Sequence, residues 1–288
     1  MREIPSPASI VVGIDGSRSA LDAALWAVDE AVCRDIPLHL VYAIDPSVCV
    51  GTDADDRARY LAGAEVAVRS AFMVVESTEK PVKIEVEILQ ERATNALLEA
   101  SRHASMLCIG AVGPSHDRGD PVGSTAAMLA SAAQCPVAVV RGHDPHPARS
   151  GWVVAEIGDS AAAGEVLRHA YDEARLRRAP LRVVTTWQSL YVDIHDNLAA
   201  SDRQKLAKAK IDRRLAKWER SYPDVDMRAA AVHCNSRAYL TKNADSIQLL
   251  LVGRERADGI RELVGPPGSA ALHHANCSVL ICGPHTVL

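Results

Sequence analysis

Apolar residues fall along the first half of the chain in two alternating rhythms. SIVVGI at 9–14, LHLVYAI at 38–44, MLCIG at 106–110 and PVAVV at 136–140 are short aliphatic runs of strand length. VKIEVEIL at 82–89 alternates apolar and polar positions with period two. Between these runs lie segments of helical spacing. Leu21, Leu25 and Val28 stand at i, i+4 and i+7 within 19–34, and 55–79, 94–103 and 124–133 also read as helices. The order is β-α-β-α-β-α-β-α-β. Helices between strands imply right-handed crossovers, so the pattern predicts a doubly wound, mainly parallel sheet.

The series then recurs. Pro37-Leu38 and Pro180-Leu181 each introduce a Val-rich strand, 143 positions apart. Asp29-Glu30-Ala31 and Asp172-Glu173-Ala174 keep that offset, as do Gly110 and Gly253, whereas Cys135 and Cys277 are 142 apart. A constant offset over most of the chain means two copies of one domain. The segment GHDPHPARSG at 142–151 is rich in Pro, Gly and polar residues, as a linker is. The expected organisation is therefore one α/β domain over 1–142, a linker over 143–150 and a second domain over 151–288. Each domain is expected to be a five-stranded parallel sheet flanked by helices.

Composition narrows the picture. The 288 residues suffice for two domains, and 48% hydrophobic with 24% charged residues is an ordinary soluble balance. Aromatics are only 4%, so the cores are built from Val, Leu, Ile and Ala. A net charge of -4 leaves no global basic footprint for nucleic acid. The seven cysteines show no CxxC spacing, and Cys108, Cys135 and Cys282 lie inside apolar runs. They read as buried reduced thiols, which suits a reducing cytoplasm. The first apolar run is too short for a signal peptide, and no stretch approaches a membrane span, so a cytoplasmic location is expected.

Candidate chemistry centres on GAVGPSHDRGDPVGST, residues 110–125. Gly110, Gly113 and Gly123 are separated by two and nine residues, where the fourth strand turns into a helix. Glycines let a backbone fold tightly and bring its N–H groups near an anion, and a helix N-terminus adds unpaired donors. Ser124 supplies a hydroxyl there, or simply caps the helix. Asp15 follows the first strand at the same edge of the sheet, where a carboxylate can hold a ribose hydroxyl or share a metal ion with phosphates. An Asp before a Gly also reads as an ordinary turn.

Together, IVVGIDGS at 10–17, the G-x2-G-x9-G-S spacing and AAQCPVAVV at 132–140 resemble the universal stress protein family. The resemblance covers nearly all of both copies. It implies five-stranded parallel α/β domains that often bind ATP, with or without Mg2+. Position by position it implies that Asp15 stands beside the nucleotide and Ala43 near the adenine. Gly110 and Gly113 then open the loop, Gly123 and Ser124 hold phosphate, and Thr125 follows. Ala126 departs from the pattern, standing where members often carry a second hydroxyl. The resemblance also implies that each last strand pairs with another domain, so the halves are expected to form a pseudo-dimer; a homodimer of chains is compatible with this.

The second copy departs further. Gly158 replaces Asp15 by the offset, with Asp159 one residue away; Arg256 replaces the second glycine and Pro266 replaces Ser124. Proline has neither N–H nor hydroxyl, so the second half is expected not to bind ATP in the family's manner. The reading is a regulatory ATP-binding stress-response protein with one site, no catalytic residues and at most slow hydrolysis. The alternatives are an interaction scaffold that binds no nucleotide, and a cyclic-nucleotide binder. His273, His274 and Cys277 have helical spacing but no second ligand cluster, so they read as helix packing. His116 and Asp117 read as loop residues, and the basic segment 202–222 as a helix with its apolar stripe inward and its charges in water, with an anionic partner as the alternative. No nucleic-acid or membrane partner is expected.

Overall fold

The structure is a computed structural model, described for residues 8–49, 54–113, 123–142, 151–187, 197–233, 237–255 and 277–283. In the first half β1 (Ile10–Ile14) leads to α1 (Arg18–Arg34), β2 (Leu38–Ala43), α2 (Ala54–Glu76), β3 (Ile84–Leu89), α3 (Ala93–Ala100), β4 (Met106–Gly110), α4 (Ser124–Ala132) and β5 (Val137–Val140). The second half repeats the series: β6 (Trp152–Ile157), α5 (Ala163–Leu176), β7 (Leu181–Trp187), α6 (Asn197–Ser221), β8 (Met227–His233), α7 (Arg237–Lys242), β9 (Ile247–Gly253) and β10 (Ser278–Cys282). Every strand and helix expected for the first half forms, because the aliphatic runs can be buried on both faces of a sheet and period 3.6 gives each helix one apolar face to lay on it.

All ten strands join one sheet in the order β3-β2-β1-β4-β5-β10-β9-β6-β7-β8. Pairing is parallel within each half. At the seam β5 meets β10 antiparallel, with Val139 opposite Val279 and Val137 opposite Ile281. The last strands thus cover each other's edges, and the halves form the expected pseudo-dimer as one continuous sheet.

The core lies in two layers, one on each face. Ile10, Val12 and Ile14 point to the face covered by α1, α2, α5 and α6, and Val11 points to the other, where Leu97, Leu129 and Leu240 pack. Both layers run across the seam. The few aromatics concentrate in the second half, where Tyr171 stacks on Trp218 at 5.8 Å and lies 4.9 Å from Tyr222.

The repeat also builds an ion-pair quartet at the seam. Glu30 and Arg34 on α1 meet Glu173 and Arg177 on α5, their counterparts at the 143 offset. Both carboxylates are fully buried. Each arginine bonds the glutamate one turn back on its own helix. Each then crosses the seam: Arg177 donates to Glu30 at 2.9 Å and Arg34 to Glu173 at 3.4 Å. Arg177 also lies 4.8 Å over the Trp26 ring. Two carboxylates buried side by side titrate apart. Burial and the neighbouring Glu30 push the Glu173 carboxyl up, to about 8. Burial acts on Glu30 too, but the Arg177 and Arg34 guanidiniums outweigh it and hold that carboxyl low.

Candidate functional site

In a doubly wound sheet, ligands bind beyond the carboxyl ends of the strands where the order reverses. In the first half that point lies between β1 and β4, since β1 leads to β2 on one side and pairs with β4 on the other. Their register brings the end of β1 level with Gly110. Tyr42 pairs with Ile14, so Ala43 falls beside Asp15.

Asp15 is exposed at the end of β1, in the turn before α1. Its Oδ1 accepts from the Ser17 N–H at 2.9 Å. Gly16 makes the turn possible with φ +81°, a conformation that side chains disfavour. Ser17 then caps α1, its Oγ accepting from the Ala20 N–H at 3.1 Å. One Asp15 oxygen is therefore tied to the turn. The other, Oδ2, faces Gly113, where an added Cβ would come within 3.2 Å of it.

The glycine loop returns to its start. The Gly123 N–H donates to the Ala111 carbonyl at 2.9 Å, clasping the start of α4 to the end of β4. Gly123 is the N-cap of α4 and has no side chain to cap the helix, so the first-turn N–H groups remain available as donors. Ser124 is exposed and Thr125 half-buried beside them. Asp15, Gly113, Gly123, Ser124 and Thr125 thus gather at one edge of β1 and β4. Residues 114–122, with His116 and Asp117, lie outside the described residues.

Two predicted positions gain a structural reason. Gly110 packs on the first turn of α1: a Cβ there would stand 2.6 Å from the Ser19 carbonyl carbon and 2.6 Å from Ser19 Oγ. Ala126 is buried, at 3% exposure, in the core beneath α4. A hydroxyl at that position would face Leu129 and its neighbours, so its absence removes nothing from the exposed edge. Ser19 escaped the sequence reading. Its Oγ accepts from Val112 N–H at 3.4 Å and ties the loop to α1. The only sequence signal is a small hydroxyl residue in the first turn of a helix. Beside Ala43, an open cleft of about 340 Å³ is lined by Asp45, Ser47, Arg92 and Asn95 among others.

The equivalent edge of the second half is bridged by its own side chains. Lys210 reaches from α6 to both Asp159 oxygens, at 2.8 and 2.9 Å, and this bonding holds the Asp159 carboxyl below its ordinary range. Arg214 donates to the Gly158 carbonyl at 2.9 Å. Glu255, the counterpart of Val112, accepts from the Ser160 hydroxyl and lays its carboxylate over Gly253. A carboxylate in that place repels phosphate. Glu255 escaped the sequence reading, since an acid in a loop carries no local signal of where its side chain turns. Arg256, Gly265, Pro266, His273 and His274 lie outside the described residues. Among the described residues no cluster of His, Cys, Asp and Glu could hold a metal ion.

Residues 8–141 and 153–283 each match the family model described as "Universal stress protein family". The chain belongs to the universal stress protein family. It is 46% identical over 284 residues to Universal stress protein Rv2028c of Mycobacterium tuberculosis, covering 98% of this chain and 99% of that one. It is 44% identical over 271 residues to Universal stress protein Rv3134c of the same organism, covering 93% and 96%. In three dimensions this universal stress protein resembles one from Archaeoglobus fulgidus, with a TM-score of 0.65, 12% identity and 96% of each chain covered. That likeness speaks to the fold alone.

Proposed function

We propose that this tandem universal stress protein binds ATP in its first half and uses the nucleotide as a regulatory ligand. The observation that carries the reading is the clasp of Gly123 on Ala111. It sets the α4 N-terminus, Gly113 and the Asp15 carboxylate around one space at the switch point. Phosphates would lie on Gly113, Gly123, Ser124 and Thr125, and Asp15 Oδ2 would meet ribose or a phosphate-bound Mg2+. The base would lie toward Ala43. Hydrolysis would be slow, because these residues offer no lysine or arginine to a leaving phosphate. The ion pair and the Glu255 carboxylate at the second edge support one site per chain, and the reducing compartment suited to its thiols supports a cytoplasmic location.

Calorimetric titration with Mg-ATP tests this on the full chain and on an Asp15→Asn, Gly123→Ala variant. Asn keeps the acceptor for Ser17, and a Cβ at Gly123 meets nothing closer than 3.9 Å, so the variant should fold. Binding near one per chain, weakened at least tenfold in the variant, is expected, together with about 2.7 kcal/mol of stabilisation at a hundredfold excess over Kd. Absence of heat and of stabilisation at millimolar ATP would leave the scaffold reading. Cyclic AMP that bound more tightly than ATP would reassign the ligand.

A further inference from the structure

The two halves give the same helix opposite exteriors. α2 and α6 occupy equivalent places, each covering the outer strands of its half. α2 carries three Arg against four Asp and Glu, whereas α6 carries eight Lys and Arg against three Asp and Glu. The fold therefore does not require a basic helix here. Whole-chain charge hides this: residues 1–142 hold 12 Lys and Arg against 19 Asp and Glu, and residues 143–288 hold 20 against 17.

α6 anchors through Ile211 and Leu215, which are buried, and Trp218, which packs on the core. At 3.6 residues per turn the opposite ridge is Leu206, Ala209, Arg213, Ala216 and Arg220, with Lys205 and Lys217 on its flanks. Leu206 is 71% exposed, where α2 has Gly63 at the same offset. Arg213 and Lys217 are exposed and form no ion pair among the described residues, while Lys205, Lys208 and Lys210 are paired with Asp202, Asp212 and Asp159. The cations of this face run from Lys205 to Arg220, about 22 Å along α6, and Asp202 at the start of the ridge is matched by Lys205.

We propose that this outer face of α6 docks on an anionic lipid surface. A row of cations answers the negative charge of acidic headgroups, and an aliphatic tooth among them gains by entering the interface. Leu206 favours lipid over nucleic acid, because base stacking calls for aromatic side chains and this ridge exposes none. The acidic first half, with its nucleotide edge, would then project into solution, which like-charge repulsion from the lipid also favours.

Co-sedimentation of the full chain with phosphatidylcholine vesicles, with and without phosphatidylglycerol, tests the proposal. Binding is expected only with phosphatidylglycerol at 50 mM salt, falling steeply by 500 mM as charges are screened. Arg213→Gln with Lys217→Gln should lower the partition about twenty-five-fold, at about fivefold for each cation. Leu206→Ser should lower it several-fold with the salt dependence unchanged. All three side chains are exposed, so circular dichroism and thermal unfolding should match the parent. Absence of phosphatidylglycerol binding at 50 mM salt would overturn the proposal. So would equal binding by the charge variant, or tighter capture of poly(U) RNA that ignores Leu206→Ser.

Discussion

Glu173→Ala removes one corner of the seam quartet and leaves Arg177 and Arg34 facing a buried space with only Glu30 between them. The arginines are largely covered, at 14% and 25% side-chain exposure, so water replaces the lost carboxylate poorly. Breaking a buried pair by removing one partner costs about 3–5 kcal/mol. For a chain of this size, at about 2–4 °C per kcal/mol, the midpoint should fall by about 10 °C. At pH 9, where both carboxyls are ionised, the repeat sharpens the expectation: Glu30→Ala should cost the same to within about 1 kcal/mol, because Glu30 also bonds one arginine from each half; near pH 7, where Glu173 is pushed up to about 8 and Glu30 is held low, Glu30→Ala should cost the more. Replacing all four residues by Met or Leu should be close to neutral, since desolvation of the ions offsets their attraction. Scanning calorimetry with urea unfolding as a second probe measures all three. A cost below about 1 kcal/mol for both single variants would mean that water reaches the quartet, and would refute the reasoning.

Other outcomes follow from the same geometry. Gly110→Ala should destabilise the chain by about 1–3 kcal/mol, because its methyl meets the backbone at Ser19 and one side must move; urea unfolding indistinguishable from the parent would refute that packing role. Glu255→Ala should leave ATP stoichiometry near one per chain, since the Lys210–Asp159 pair still bridges the second edge; a second calorimetric site would contradict this. Iodoacetamide at pH 8 should label exposed Cys33 under native conditions and spare Cys108, Cys135, Cys277 and Cys282, as peptide mapping would show. Burial pushes Cys135 and Cys277 up to about 12, so almost no thiolate is present, and native labelling of either would mean the seam opens.

The sequence by itself determined the order of elements, the doubling of the domain and the positions of the glycine loop. These follow from periodicity, from a constant offset and from residues whose backbone freedom or cap chemistry acts locally. Ile10, Val12 and Ile14 had to share a face, whatever lay above them. Only the tertiary structure decided which side chains meet. Glu30 and Glu173 were visible as a repeat, but nothing local says that they are buried against each other's arginines; the antiparallel meeting of β5 and β10 sets that distance. The sequence offered Ser124 as a cap for α4, but Gly123 holds the N-cap position, and its clasp on Ala111 depends on where β4 ends. Nothing in the sequence marked Glu255, and only the fold brings the Ser160 hydroxyl, 95 residues away, to its carboxylate. Local propensity acts over a few residues, whereas these contacts join positions 12 to 147 residues apart, and only packing of the whole sheet brings them together.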